Sequence, residues 1–292
     1  MQKKLEIPHG SAVMYPKDTI TKKEVVSYYE KVAPYLLAHA KERPTVMQRF
    51  PEDITQAGFY QKEVPSYFPS SIKRVTVTLK GRNEKEDLVL LHKASDLVYL
   101  ASQRVLCFHT WLSNKKKLNY PDKVIFDLDP TSNNTSSLKL AAVRLKGILE
   151  EHGLVPFVMT TGSRGYHIVA PVKPEHSFDD VHNWAKEIAQ SLADTYPSQY
   201  TTQMQKKNRG KRIFIDYLRN SYAQTGIAPY SLRALAGAPV ATPITWKELA
   251  QPGMHPQKFT IKNIFARISK KGDAWRDFHK SSRRLKLSTP TQ

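Results

Sequence analysis

Two kinds of hydrophobic spacing run along this chain. Val25, Tyr28, Tyr29, Val32 and Leu36 recur at the three- and four-residue intervals of one helix face, and Thr21-Lys-Lys-Glu24 ahead of them has the form of a capping box. The spacing predicts a helix from about Lys22 towards His39, with Pro34 as a point of bending. The stretches 46–50, 74–79, 88–91 and 97–100 are short apolar or alternating runs separated by Gly, Asn, Asp and Lys, which is the chemistry of strands and turns. The first third reads as a helix on a small sheet.

From Val124 the pattern becomes that of a layered αβ unit. VIFDLDP reads as a strand, SSLKLAAVRLKGILEEHG as an amphipathic helix capped by Ser136 or Ser137 and stopped at Gly153, and FVMTT as a strand again. A further strand is expected over 166–172. Val181, Trp184, Ala185, Ile188 and Leu192 then share one face of a helix over 178–193, and RIFIDYL closes the series as a strand. A proline-spaced segment follows, and the terminal KSSRRLKLSTPTQ has the composition of a frayed basic tail. There is no internal repeat.

Composition narrows the partners. The 292 residues carry 45 Lys+Arg against 26 Asp+Glu, a formal charge of +19. A hydrophobic content of 40% can build a core, which excludes wholesale disorder and fibrous repeats. The positive surplus concentrates polyanions, so nucleic acid is the first partner class. Cys107 stands alone, so neither an intramolecular disulfide nor a cysteine-rich zinc site can form, and a reducing cytoplasm fits. The N-terminus has no apolar signal core, and the weakly charged stretch 226–246 is broken by Pro229, Pro239 and Pro243. Neither a signal peptide nor a membrane span is expected.

In VIFDLDP, strand alternation puts Asp127 and Asp129 on one face and Val124, Phe126 and Leu128 on the other. Two carboxylates so close repel unless something positive lies between them, either a hard divalent cation or some of the chain's many basic side chains. RIFIDYLRN places a single acid, Asp216, in another apolar strand. If the two strands are neighbours, the three carboxylates form a cage able to hold two metal ions, as phosphoryl-transfer chemistry requires. TTGSRGYHI lies between strands, so Gly162 and Gly165 supply a turn around which Thr161, Ser163, Arg164 and His167 gather as phosphate ligands. The run KKNRGKR precedes the Asp216 strand, and Arg219 and Arg233 follow it. Phe59 and Tyr60 of GFYQK suit either base stacking or core packing.

Taken in order, YP…ITK, QRFP, GFYQK, FHTWL, VIFDLDP, TTGSRGYHI, RIFIDYLRN and APYSLRA resemble the polymerase domain of the bacterial DNA ligase D family, a branch of the archaeo-eukaryotic primase superfamily. The resemblance runs from about Tyr15 to Phe278 and implies a domain standing without ligase or nuclease partners in the chain. It implies an α+β fold, with a primase-like core of mixed and antiparallel sheets flanked by helices and a small N-terminal αβ part. The implied division is a template- and 5′-phosphate-contacting part over 1–110, a catalytic core over 111–278 and a basic flexible tail over 279–292.

By position, the resemblance carries two divalent metals, Mg²⁺ or Mn²⁺, onto Asp127, Asp129 and Asp216, which would be the catalytic set. It carries the incoming nucleotide onto Thr161, Ser163, Arg164 and His167, joined by His109 of FHTWL, Arg219 and Arg233. Template and 5′-phosphate contacts fall on Phe59, Tyr60 and Lys22. One basic position of the family, just before the VLYP-like segment, is Ala12 here. The implied activity is template-directed addition of ribo- or deoxynucleotides to a primer 3′ hydroxyl in end joining or gap filling. The implied partners are broken or gapped DNA, Ku and a ligase, in the cytoplasm at the nucleoid. Two other readings start from the same residues. Asp127-Leu-Asp-Pro-Thr131 also fits the DxDxT motif of haloacid dehalogenase-like phosphatases, and the basic surface alone fits a non-catalytic nucleic-acid module.

Overall fold

A computed structural model describes residues 7–78, 84–131 and 135–287. A short hairpin pairs β1 (Val13–Tyr15) with β2 (Ile20–Thr21) and leads into helix α1 (Lys22–Ala40). The helix begins where the sequence places it, because Thr21 and Glu24 exchange cap hydrogen bonds. Pro34 lies inside it.

Strands β3 (Pro44–Arg49), β4 (Phe59–Gln61), β5 (Arg74–Thr78) and β6 (Lys85–Leu90) follow. The run 97–100, expected as a strand, is instead part of helix α2 (Ala94–Ser102). Asp96 turns back to accept the N–H groups of His92 and Lys93, and Leu97, Leu100 and Ala101 bury one helical face. A four-residue apolar run fits either period, and here the local cap decides. Strand β7 (Val105–Trp111) is buried along its whole length.

The second half supplies β8 (Lys123–Asp129), α3 (Thr135–Glu151), β9 (Phe157–Thr160), β10 (Tyr166–Pro171), α4 (Phe178–Thr195), β11 (Tyr200–Thr201) and β12 (Ile213–Asp216). Strands β13 (Thr225–Ile227) and β14 (Thr242–Ile244) come next, then helices α5 (Trp246–Ala250) and α6 (Ile264–Lys271). Two sheets organise the α+β fold. One runs β11-β12-β8-β10-β9-β14, antiparallel except for the β11–β12 pair. The other runs β13-β7-β3-β6-β5, with β4 attached to β3. Because β13 returns from the second half to pair with β7, the N-terminal sheet is completed by residues beyond 111.

The terminal segment, expected to be flexible from 279, is docked as far as it is described. Lys173 N–H donates to the Arg283 carbonyl (2.8 Å), Arg284 pairs with Glu175 (2.8 Å), and Leu285 is buried. Residues 288–292 lie outside the described residues.

Candidate active site

The alternation of β8 is realised in three dimensions: Val124, Phe126 and Leu128 are fully buried in the core, while Asp127 and Asp129 lie partly buried on the other face. Strand β12 is the direct antiparallel neighbour of β8 and sets Asp216 opposite Asp127. On the other side β10 sets His167 opposite Asp127. One register therefore aligns Asp216, Asp127 and His167 across three strands.

The turn between β9 and β10 closes over this row. Thr161 accepts the N–H groups of Ser163 and Gly165 (both 3.2 Å) and donates to the Gly165 carbonyl (2.9 Å). Its hydroxyl is thus committed to shaping the turn. A Cβ on Gly165 would overlap the Leu128 carbonyl oxygen, and Gly162 has a φ of 66° with Arg233 and the 240–241 backbone close against it. Only glycine permits both approaches.

Together these elements enclose a cavity of about 430 Å³. Asp127, Asp129 and Asp216 line it, and so do His109, Thr161, Ser163, Arg164, His167, Arg219, Arg233 and Tyr60. The remaining two positions singled out from sequence lie apart. Phe59 is exposed beside the Arg49 guanidinium (5.7 Å), and Lys22 is nearly buried at the start of α1, its ammonium donating to the Pro8 carbonyl (2.6 Å).

The carboxylates differ in their compensation. Asp127 accepts from Arg219 (2.7 Å) and faces His167 (3.4 Å). Burial alone would raise its pKa, but His167 and Arg219 outweigh that and hold the carboxyl well below the usual range. Asp129 is shared by Arg164 (3.2 Å) and Arg209 (3.1 Å). Asp216 accepts one backbone bond, from Leu218 N–H (2.9 Å), and has no ion pair among the described residues. Burial, then the neighbouring Asp127, pushes its pKa up. Three hard oxygen donors with one left uncompensated suit a divalent cation. As the side chains stand, no three such groups among the described residues are already arranged around a common ion position, and Asp129 is engaged by its arginines.

Among the described residues, two ligand-type groups in the cavity keep unused bonding capacity. The Nε2 of His109 is buried and unbonded. Burial, then Arg233 and Arg219, pulls the His109 pKa down to about 3, so this imidazole is neutral at physiological pH. The Arg233 guanidinium has no ion pair among the described residues. Arg209 was not singled out from the sequence, where it sits inside a charge run. It is buried, stacks on Phe214 (3.8 Å) and donates to the Gln203 and Met204 carbonyls. The signal available was Phe214, two residues before Asp216 and so on the same face of the strand, offering a flat platform to a cation.

The comparisons with known proteins agree with this architecture. The family model described as the LigD primase-polymerase domain matches residues 21–275. The match is to this family and not to the dehalogenase-like phosphatases that DLDPT alone allows. The chain is 30% identical over 281 residues to the multifunctional non-homologous end joining protein LigD of Mycobacterium bovis, covering 93% of this chain and 36% of that protein. It is 29% identical over 287 residues to the bifunctional non-homologous end joining protein LigD of Bacillus subtilis, covering 98% of this chain and 46% of that protein. The chain thus spans less than half the length of these curated relatives. Among solved structures it superposes on the polymerase domain of Mycobacterium tuberculosis ligase D in complex with DNA. The TM-score is 0.88 at 28% identity, over 96% of this chain and 99% of that one.

Proposed function

The chain belongs to the LigD primase-polymerase domain family, and from that premise we propose that it is a template-directed nucleotidyltransferase that extends a primer 3′ hydroxyl at breaks or gaps in DNA during end joining. The observation that carries this reading is the convergence of Asp127, Asp129 and Asp216 with Arg164, His167, Arg219, Arg233 and His109 on one cavity. Such a site binds a polyphosphate and balances the charge it brings.

The family is metal-dependent, and Asp127, Asp129 and Asp216 would hold Mg²⁺ or Mn²⁺. Bound there, such ions supply Lewis acidity to the attacking hydroxyl and to the departing pyrophosphate. Asp129 Oδ1 accepts from Arg164 and Oδ2 from Arg209, so a cation held there would share the carboxylate with these arginines through its remaining lone pairs. The chain's own contribution is positioning and neutralisation. Arg233 and the neutral His109 offer unoccupied donors to phosphate oxygens, while His167 and Arg219 keep Asp127 ionised. Thr161 acts through the turn it shapes, which presents Ser163 and Arg164. Tyr60, edge-on to His109 (5.6 Å), and the exposed Phe59 present flat faces to bases of a template. In the cell the reading places the protein in the cytoplasm with DNA, nucleoside triphosphates, Ku and a ligase.

Asp216→Asn tests it by keeping size and removing charge. We expect primer extension on gapped duplex, with magnesium or manganese, to be lost. DNA affinity should be retained, and the thermal midpoint of the metal-free protein should be unchanged or raised, since a buried and uncompensated carboxylate has been neutralised. Arg233→Ala should instead raise the apparent nucleotide KM and leave metal binding intact. Extension that survives Asp216→Asn would sink the polymerase reading and leave a nucleic-acid binding module. Release of phosphate from a terminal monoester, without pyrophosphate, would point to a phosphatase.

A further inference from the structure

Between β13 and β14 the chain makes no regular element, yet residues 228–232 are buried before it reaches Arg233. A buried segment outside a helix or ladder must still pair its N–H and C=O groups. Backbone meets part of that need: Tyr230 N–H donates to the Ala241 carbonyl (2.6 Å), Ala241 N–H to the Ser231 carbonyl (2.9 Å) and Arg233 N–H to the Pro239 carbonyl (2.8 Å). Three tyrosine hydroxyls from β1 and α1 meet three more groups. Tyr28 donates to the Tyr230 carbonyl (2.7 Å), Tyr29 accepts Leu232 N–H (3.0 Å), and Tyr15 donates to the carbonyl of Arg233 itself (3.0 Å). All three rings are buried.

These ties hold a conformation that would otherwise relax. Tyr230 has a φ of 66°, the left-handed region that an L side chain enters at a cost, and its own hydroxyl is fixed on Asp273 (2.7 Å). Arg233 is held from a second side as well. A Cβ on Gly162 would stand 2.8 Å from Arg233 Cγ, so the stem of the arginine lies against the turn between β9 and β10. Its guanidinium lines the cavity, whereas Tyr15 does not. Ordering a long side chain on a ligand costs free energy, and a stem and backbone already fixed reduce that cost.

We infer that Tyr15 is a positioning residue for the incoming nucleotide: its hydroxyl fixes the backbone from which Arg233 reaches the triphosphate, and Tyr28 and Tyr29 hold the chain ahead of it. This deepens the proposed reading and rests on it. Tyr15 acts only through Arg233, so its loss weakens the grip on the nucleotide and leaves the three aspartates and the DNA contacts as they are.

The test follows primer extension on gapped duplex against nucleotide concentration, with ATP binding in the presence of Mg²⁺ measured by calorimetry. Tyr15→Phe keeps the ring and removes only the hydroxyl. Its apparent nucleotide KM should rise about three- to tenfold, the range set by one hydrogen bond, with kcat and DNA affinity close to the wild type. Tyr28→Phe should shift the KM in the same direction. In an Arg233→Ala background, Tyr15→Phe should change the KM by less than about twofold, since the group it places is gone. Tyr200→Phe is the control: it removes a hydroxyl that meets Arg144 (2.8 Å) at the β11 edge of the sheet, and should lower the thermal midpoint without moving the KM. An unchanged KM in Tyr15→Phe, or an equal rise with and without Arg233, overturns the inference. ATP binding separates the two readings. A wild type whose ATP affinity depends on Tyr15 through Arg233 but which extends no primer supports the positioning role and counts against the polymerase, and one that neither binds nor extends overturns both.

Discussion

The turn that closes the cavity makes a strong demand on a single residue. A Cβ on Gly165 would overlap the Leu128 carbonyl oxygen, stand 3.1 Å from the Leu128 carbonyl carbon and come 3.6 Å from the Asp127 carboxylate. The obstacle is backbone in the middle of the sheet, not the movable end of a side chain. To regain ordinary contact, β8 and the turn must part by about an ångström. Overpacking of this kind costs roughly 1–3 kcal/mol, and a rigid obstacle puts Gly165→Ala near the upper figure. In a domain of this size each kcal/mol lowers the midpoint by about 2–4 °C, so the loss should be roughly 6–12 °C. The displaced strand carries Asp127 and Asp129, so primer extension should fall further than stability alone explains.

Gly253→Ala is the matched control. Gly253 has a φ of 69°, but nothing lies within 4 Å of its would-be Cβ. Only the left-handed penalty applies, about 1–2 kcal/mol, and extension should be unaffected. Thermal unfolding by circular dichroism and a gapped-primer assay measure both quantities. If Gly165→Ala melts within a few degrees of Gly253→Ala and extends primers at the wild-type rate, the close approach of turn and strand is not what sets the aspartates.

Two further outcomes follow from residues outside the cavity. Gly147 lies inside α3 with nothing within 4 Å of its would-be Cβ, so Gly147→Ala should gain about 0.5–1 kcal/mol from reduced unfolded-state entropy and raise the midpoint without changing extension. Lys123, at the buried start of β8, has its pKa pulled down to about 7 by burial and then by Arg43. Between that value and the ordinary lysine pKa, the unfolded chain binds a proton that the folded chain does not. Stability should therefore rise with pH from about 7 to 9, by at most ~1.4 kcal/mol per unit, and Lys123→Met should flatten that rise in urea titrations.

How far the sequence could be read depended on whether a feature is local or assembled. Which side chains share a strand face is local, so the pairing of Asp127 with Asp129 was legible from alternation alone, and Asp216 was legible as a lone acid in an apolar strand. Their meeting required β12 to neighbour β8, a topological fact that the sequence posed only as a condition. The 97–100 run was misread because four apolar residues fit two periods, and the deciding cap, Asp96 on His92 and Lys93, sits just upstream. The basic terminus looked frayed because composition does not reveal that Leu285 has a slot to fill.

The least legible feature is the internal neutralisation of the site. A run such as KKNRGKR ordinarily faces solvent, and nothing in its own spacing says otherwise. Arg209 is drawn inward because three things coincide: the Phe214 ring beneath it, the carbonyls of Gln203 and Met204 around it, and the Asp129 carboxylate beyond. Each comes from a different segment, and no one of them would bury a guanidinium alone. Arg219 reaches Asp127 by a similar coincidence, also donating to the Thr225 carbonyl that opens β13. Two of the three carboxylates are therefore paired with arginines of the chain itself, and the third, Asp216, has no ion pair among the described residues. That asymmetry shows how a fold can carry clustered acids: Arg164, Arg209 and Arg219 meet the charge of two of them from within the chain. It also locates the cost in Asp216, whose neutralisation should stabilise the fold and disable the chemistry together.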